Sequence, residues 1–343
     1  MRELTGYKKG INLGGWLSQC GADNYNDQHY STFITEADIA RIASWGLDHV
    51  RLPIDYNVIQ NEDGSFIESG FGYIDNCIEW CRKYDLKIIL DLHKALGYVF
   101  DDETYCQFFE EEKLQDIFVS LWEEMARRYA KYHDFIILEL LNEVTAAETA
   151  LIWNRIADRT IKAIRAISKD VRIMIGGIFN GSIYGLTLLE KPADDNVVFT
   201  YHCYSPLAFT HQGAYWVDRL PRDFRLTYPG TVDDYREISS KFFGHDFDEE
   251  YAYEGNMVDT EYFERLFSTV VEVSEKYNVP IYCGEYGVID CADLPSTVNW
   301  YRDINAAFEK LGIPRAAWTY KSKDFGLIDD HYADVCQDIV NLL

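Results

Sequence analysis

Glu143 ends the apolar run ILELLNEVT (137–145), and Glu285 ends the run VPIYCGEYG (279–287). A carboxylate at the end of such a run is either incidental surface or a reagent held at the rim of a core. Two carboxylates facing each other across one cleft are the minimal equipment for cutting a glycosidic bond. One protonates the departing oxygen and then serves as base, while the other attacks the anomeric carbon or activates water. Other groups able to do chemistry close similar runs: Arg51 in LDHVRLPI, His93 in LKIILDLH, Asn142 beside Glu143, His202 and Tyr204 in NVVFTYHCY, and Trp318 in IPRAAWTY. A single histidine in an apolar strand is more often a satisfied core residue. The recurrence of such groups at equivalent ends carries the argument.

Something must bring those ends together. Eight strand-like segments run through the chain, at 10–17, 47–54, 86–93, 135–143, 171–178, 196–204, 279–287 and 313–320. Amphipathic helical stretches fall between them, among them 34–46, 115–132, 154–168 and 296–312. Near-continuous apolar strands alternating with helices predict a parallel sheet covered on its outer face. Eight such units predict an α/β fold of the (β/α)8 TIM-barrel type, whose chemistry gathers at the C-terminal ends of the strands. The whole chain, 1–343, reads as one catalytic barrel. The one break in rhythm is the stretch 205–260 after the sixth strand, rich in aromatics (HQGAYW) and acids (GHDFDEEYAYE). A connection that long in a compact fold is usually functional, and it predicts a helical insertion lying over the barrel mouth as a lid.

Composition narrows the partners. A formal charge of −25, from 57 acidic against 32 basic residues, would repel nucleic-acid phosphates and suits a neutral ligand. No apolar run is long enough to span a bilayer, so no membrane partner is expected. MRELTGYKKG lacks the apolar stretch of a signal peptide, which places the chain as given in the cytoplasm, or outside the cell if a leader has been removed. Several of the eight cysteines fall inside apparent strands or helices, and they read as mainly free, buried thiols. Cys77 and Cys81 share a helical face at a metal-binding spacing, yet no matching pair exists elsewhere, so core packing is the simpler reading.

Several polar and aromatic residues have plainer readings than catalysis. Glu139 points inward with Glu143 and reads as a buried structural acid paired with a base on a strand. Asp91 is expected to orient its neighbours, and His49 to be either core or a support behind the site residues. Trp45, Trp80 and Trp122 lie on amphipathic helices and should pack them on the barrel, while Trp16 is either core or a wall of the binding cleft. The acidic stretch 246–254 lacks the regular spacing of a calcium loop and reads as a solvated face.

Taken together, GINLGGWL, HVRLP, DLH, LLNEV, YHCY, YCGEYGV and AAWTY resemble the family 5 glycoside hydrolases of the retaining (β/α)8 clan, from Gly10 to about Phe325. Asn-Glu alone is common, but its order with the later Gly-Glu-Tyr-Gly is specific. The resemblance implies that Glu143 is the acid/base and Glu285 the nucleophile. It implies that Asn142 holds the sugar 2-hydroxyl, that Arg51 and Tyr204 hydrogen-bond the nucleophile, and that His93 and His202 line the reacting site. Trp318 would lie under the sugar in the subsite that is cleaved. Lys94, next to His93, departs from a second histidine found there in a relative, which bears on the sugar subsites and not on the carboxylate chemistry. The activity implied is retaining hydrolysis of β-1,4-glucan and mixed-linkage β-glucan by a monomer, with no metal and no organic cofactor, since both steps run on carboxylates and water. An exo-β-1,3-glucanase and a β-mannanase are rivals within the class. A non-catalytic carbohydrate-binding barrel would usually have lost one of the glutamates, and a metal-dependent barrel would want an H-x-H on the first strand.

Overall fold

The structure is a computed structural model that describes residues 2–100, 106–244 and 248–343. Its centre is a closed barrel of eight parallel strands: β1 (Lys9–Asn12), β2 (His49–Asp55), β3 (Lys87–Lys94), β4 (Ile136–Glu139), β5 (Arg172–Gly176), β6 (Val197–His202), β7 (Ile281–Glu285) and β8 (Arg315–Ala317). Each strand pairs with the next in the chain, and β8 closes on β1 through Lys9↔Arg315, Gly10↔Ala316 and Ile11↔Ala317. The expected (β/α)8 barrel, with its insertion after the sixth strand, is therefore the fold.

Both faces of the sheet are buried, which is why the strands read as unbroken apolar runs. Outward residues such as Ile88, Leu90, Leu138 and Ile173 join the surrounding helices in one large cluster. Inward residues split in two. At the N-terminal end of the barrel, Ile89, Ile137, Met174, Val198, Tyr282 and Ala316 form an apolar plug capped by Leu4 and Tyr7. Above it the interior turns polar, and the same inward parity that buries Ile89 and Ile137 brings in Arg51, Asp91 and Glu139.

The helices start and stop where local chemistry dictates. Glu36–Ser44 opens on a capping box between Thr35 and Asp38. Leu294–Leu311 opens on Asp293, whose carboxylate accepts from the Ser296 N–H, and stops at Gly312 with φ 68°. Three of the strands are no more than half as long as their apolar runs predict. β1 ends at Asn12, where Gly14 and Gly15 turn the chain; β4 ends at Glu139; and β8 has only three paired residues. Residues just past β4 stay hydrogen-bonded to neighbours, Leu140 N–H to Met174 O at 3.0 Å and Asn142 N–H to Leu92 O at 3.0 Å, but in broken register. The apolar signal tracks burial, and burial continues past the end of the ladder.

The insertion holds the helices Leu207–Thr210 and Val232–Phe243 and a two-stranded ribbon pairing Gly230–Thr231 with Met257–Val258. Residues 245–247 of its acidic stretch lie outside the described residues. The remainder is not simply a solvated face: Tyr251 is buried, and Glu250 accepts a 2.8 Å hydrogen bond from the Tyr262 hydroxyl. All eight cysteines are free, and five of them are buried. Among the described residues no helix is long and apolar enough to cross a membrane.

Candidate active site

Arg51 is the hub of the polar layer, and its side chain is fully buried. Nε donates to Glu139 Oε2 at 2.8 Å and Nη2 to Glu139 Oε1 at 3.1 Å, a two-pronged grip. Nη1 donates to Asn12 Oδ1 at 3.0 Å and to Glu285 Oε1 at 2.7 Å. Nη2 also reaches Asn142 Oδ1 at 2.9 Å and Asp91 Oδ2 at 2.9 Å. Burial opposes the guanidinium charge, but Asp91, Glu139 and Glu285 outweigh it and hold Arg51 well above its ordinary value. One cation therefore sets the position of three carboxylates and two amides. Glu139 and Asp91 play the structural parts expected of them, and His49 lies in the layer below, hydrogen-bonded to the Tyr282 hydroxyl at 2.6 Å.

Glu285 receives a second donor, the Tyr204 hydroxyl, at 2.9 Å on Oε2. Across the cleft, Glu143 Oε1 is 2.7 Å from His202 Nδ1, which lies 3.6 Å from Glu285 Oε2. One ligand atom from each of Glu143, His202 and Glu285 falls within 4.8 Å of the others. These three are, among the described residues, the one such group near enough to hold a metal ion, and they are the same groups that face each other across the cleft. Gly284, just before Glu285, explains part of the GEYG run: a Cβ there would come within 2.9 Å of Thr200 Oγ1 and 3.0 Å of His202 Nε2.

His93 is sandwiched. Its Nδ1 meets Asp91 Oδ2 at 2.6 Å, its Nε2 meets the Gln19 amide nitrogen at 3.2 Å, and its ring stacks on Trp318 at 5.8 Å with 3° between planes. Asn142 gives its carbonyl oxygen to Arg51, which orients the amide so that Nδ2 is left buried without a protein partner. The structure thus gathers Glu143, Glu285, Arg51, His93, Asn142, His202, Tyr204 and Trp318 around one cleft. Trp16 settles as core, fully buried and stacked on Trp80 at 6.1 Å.

Sequence reasoning missed several contributors. Asn12 sits inside GINLGG and ties Arg51 to the carbonyls of Gly284 (2.9 Å) and Ala317 (3.2 Å). Gln19 is held beside His93 by its N–H to Asp55 (3.1 Å) and by Lys323, which donates to its carbonyl at 2.9 Å. Tyr98 reaches the backbone of Glu143. Asn12 is the last residue of β1, and Gln19 and Tyr98 lie on turns beyond a strand end, where apolar periodicity is silent. The aromatic content of the insertion was a usable signal for Trp216, which is 43 % exposed and lies 6.4 Å from Phe325 and 6.0 Å from His211, the ring next to Tyr204.

The buried titratable groups have a consequence for pH. Burial drives His93 down to about 3 and Asp91 up to about 7, with Arg51 opposing the latter. Between about pH 4 and 6.5 that pair carries one titratable proton both folded and unfolded, so its effects on stability cancel. His202 lies between Glu143 at 2.7 Å and Glu285 at 3.6 Å. Burial lowers it, with Glu285 opposing. A histidine depressed by folding contributes stability that is full above its unfolded value of about 6.5 and lost as pH falls, at up to about 1.4 kcal/mol per pH unit. Denaturant titrations should therefore show the stability gap between wild type and His202→Asn shrinking as pH drops from 7 to 5. A gap independent of pH would contradict a neutral buried His202.

Paired carboxylates, a guanidinium and phenol on one of them, and a histidine on the other, all at the C-terminal mouth of a (β/α)8 barrel, define a glycoside hydrolase. Comparison with known sequences agrees: residues 8–324 match the profile of the cellulase family, glycosyl hydrolase family 5, and the chain belongs to it. It is similar to cellodextrinase A of Ruminococcus flavefaciens, 44% identical over 92% of this chain and 86% of that protein. It is also similar to endoglucanase C of Acetivibrio thermocellus, 38% identical over 99% of this chain and 98% of that one. Among solved structures it resembles Cel5A of Thermotoga maritima in complex with cellobiose (26% identity, TM-score 0.77, 98% of each chain). The same enzyme in complex with mannotriose gives 25% identity and a TM-score of 0.77 over 98% of this chain and 97% of that one.

Proposed function

We propose that this cellulase-family enzyme is a retaining endo-β-1,4-glucanase that also cuts mixed-linkage β-glucan. The observation that carries the reading is the approach of Glu143 and Glu285, with oxygens within 4.8 Å. So close an approach of their nearest oxygens favours the short carboxyl separation of enzymes that form a glycosyl intermediate over the roughly 6.5–9.5 Å that leaves room for a water. Glu285, with Arg51 and Tyr204 donating to its two oxygens, is the nucleophile. Glu143 protonates the departing oxygen. Once the charge of Glu285 is consumed in the covalent intermediate, Glu143 takes a proton from water as base.

The unpartnered Asn142 Nδ2 is a donor for the 2-hydroxyl of the reacting sugar, a bond that strengthens as charge develops at the anomeric carbon. Trp318, braced by His93, supplies an apolar platform. The insertion at 205–260 acts as a lid, with His211 and Trp216 turned toward Tyr204 and Phe325. The substrate is a neutral β-glucan chain, in keeping with the acidic charge of the protein, and the enzyme works as a monomer.

Proton NMR of the first product tests the mechanism: the β-anomer should appear before mutarotation, and a first-formed α-anomer would overturn the retaining reading. Barley glucan, carboxymethylcellulose, laminarin and mannan assayed side by side test the linkage, with the first two expected to be cleaved fastest. A second reading, cleavage of short cellodextrins, is favoured by the similarity to a cellodextrinase. It predicts that viscosity of carboxymethylcellulose barely falls while cellotetraose is cut quickly.

Removing the acid should have its own signature. Glu143→Ala is expected to lose ~10²–10⁴-fold on unactivated cello-oligosaccharides, the usual worth of proton transfer. Azide should restore turnover of an aryl cellobioside with a good leaving group and give the β-glycosyl azide. Unchanged rates in that variant would remove Glu143 from the mechanism.

A further inference from the structure

Glu143 has a backbone conformation that a side-chain-bearing residue rarely adopts, with φ 33°. Strain of this kind persists only where the surroundings hold it in place. Here one group does so from outside the strand. The Tyr98 hydroxyl donates to the Glu143 carbonyl at 2.5 Å and accepts from the Thr145 N–H at 3.0 Å. It thus ties these two backbone groups to the turn after β3, on a segment whose Val144 also bridges Ile178 in parallel. Tyr98 is itself fully buried, anchored in a tight turn after β3 by paired bonds with Ala95 (3.1 and 2.9 Å). Its ring is held edge-on against Phe109 at 5.3 Å and beside Phe108 at 6.4 Å. On the far side of the same short segment, the Asn180 N–H donates to the Val144 carbonyl at 3.0 Å. The segment that carries the acid is therefore held on both sides by groups from other loops.

We propose that Tyr98 is a positioning residue for the acid/base: by bridging the carbonyl of Glu143 and the N–H of Thr145, it fixes the backbone turn that aims the Glu143 carboxyl at the departing oxygen beside His202. The inference rests on the reading of Glu143 as acid/base and adds a residue that acts only through it. Burial keeps the phenol protonated, so the hydroxyl is available as donor over the working pH range. Loss of the hydroxyl removes the bridge between the Glu143 carbonyl and the Thr145 N–H. The turn then relaxes toward an ordinary φ and swings the carboxyl away, while Glu285 and Tyr204 on the opposite wall are untouched.

The test is Tyr98→Phe, assayed as kcat/KM on two substrates with the same cellobiosyl donor. Departure of 2,4-dinitrophenolate needs no proton, whereas departure of cellobiose from cellotetraose does. Burst titration with the dinitrophenyl substrate counts competent sites, so a misfolded fraction does not enter the comparison. The expected result is a loss of ~10–100-fold on cellotetraose, with the dinitrophenyl cellobioside within about 3-fold of wild type, and a shifted pH profile for cellotetraose only. Equal losses on both substrates would make Tyr98 a general structural residue and overturn the proposal, as would no loss on either. Glu143→Ala in parallel separates the two claims. If it lacks the dependence on leaving group, the acid/base reading itself fails. If it shows the dependence and Tyr98→Phe does not, only the positioning role fails.

Discussion

Glu285→Gln should leave cello-oligosaccharide binding within a few-fold of wild type while turnover falls by ~10⁴-fold or more, as when a nucleophile is removed from a catalytic set. The substitution keeps volume and removes the attacking charge. Its orientation is set by the two donors on Glu285. Arg51 Nη1 can only donate, so the amide oxygen must face it and the amide nitrogen must face Tyr204, whose hydroxyl can turn to accept. The pocket can thus be satisfied without a nucleophile. Isothermal titration with cellotetraose measures the retained binding, and steady-state assays measure the lost turnover. Stereochemistry then separates the two glutamates. In Glu285→Ala, azide fills the space of the nucleophile and attacks an aryl β-cellobioside directly, giving the α-azide, opposite to the product expected from Glu143→Ala. An exchange of those two products between the variants would exchange the roles.

The same residues show how far the sequence could be read. The barrel was legible because a parallel sheet buried on both faces writes itself as eight apolar runs, and because polar residues at the ends of such runs need a reason to be there. Glu139 could be read as the partner of a strand base because inward parity is fixed by a period of two along β4. What could not be read lies past the ladders. The runs at 10–17 and 135–143 look like longer strands than they are, since apolar content reports burial and not hydrogen-bond register. Asn12 earns its place through carbonyls of Gly284 and Ala317, some 270 and 305 positions away, a contact that exists only once the barrel has closed. The strained φ of Glu143 and the hydroxyl that spans its turn leave no periodic trace, because Tyr98 sits on a turn four residues past the end of β3. Parity and composition reveal which residues line the cleft; the groups that aim them come from turns.

Replacing Arg51 by Met should be the most damaging single change to the fold. The guanidinium is the shared partner of Asp91, Glu139 and Glu285, and the first two are fully buried. Taking one partner from a buried ion pair costs about 3–5 kcal/mol, because the remaining charge is left in a poorly polarisable interior. Burial already raises Glu139 and Asp91, and the cause that opposes it is Arg51. Without that opposition both carboxyls hold their protons to higher pH. The sign follows: an acid whose folded value lies above its unfolded one is a stabiliser only while protonated, so stability falls as pH rises through and above the ordinary carboxylate range. Denaturant melts should therefore show the deficit of Arg51→Met widening from pH 5 to pH 8. Neutralising Glu139 in the same chain, as Arg51→Met with Glu139→Gln, should recover part of the loss and flatten the pH dependence, because the bidentate pair is removed as a unit. Activity should not return in the double variant, since Glu285 would still lack its Nη1 donor and Asn142 its anchor. A deficit under about 1 kcal/mol at every pH would mean that the three carboxylates do not depend on Arg51, and the hub at the centre of this site would have to be abandoned.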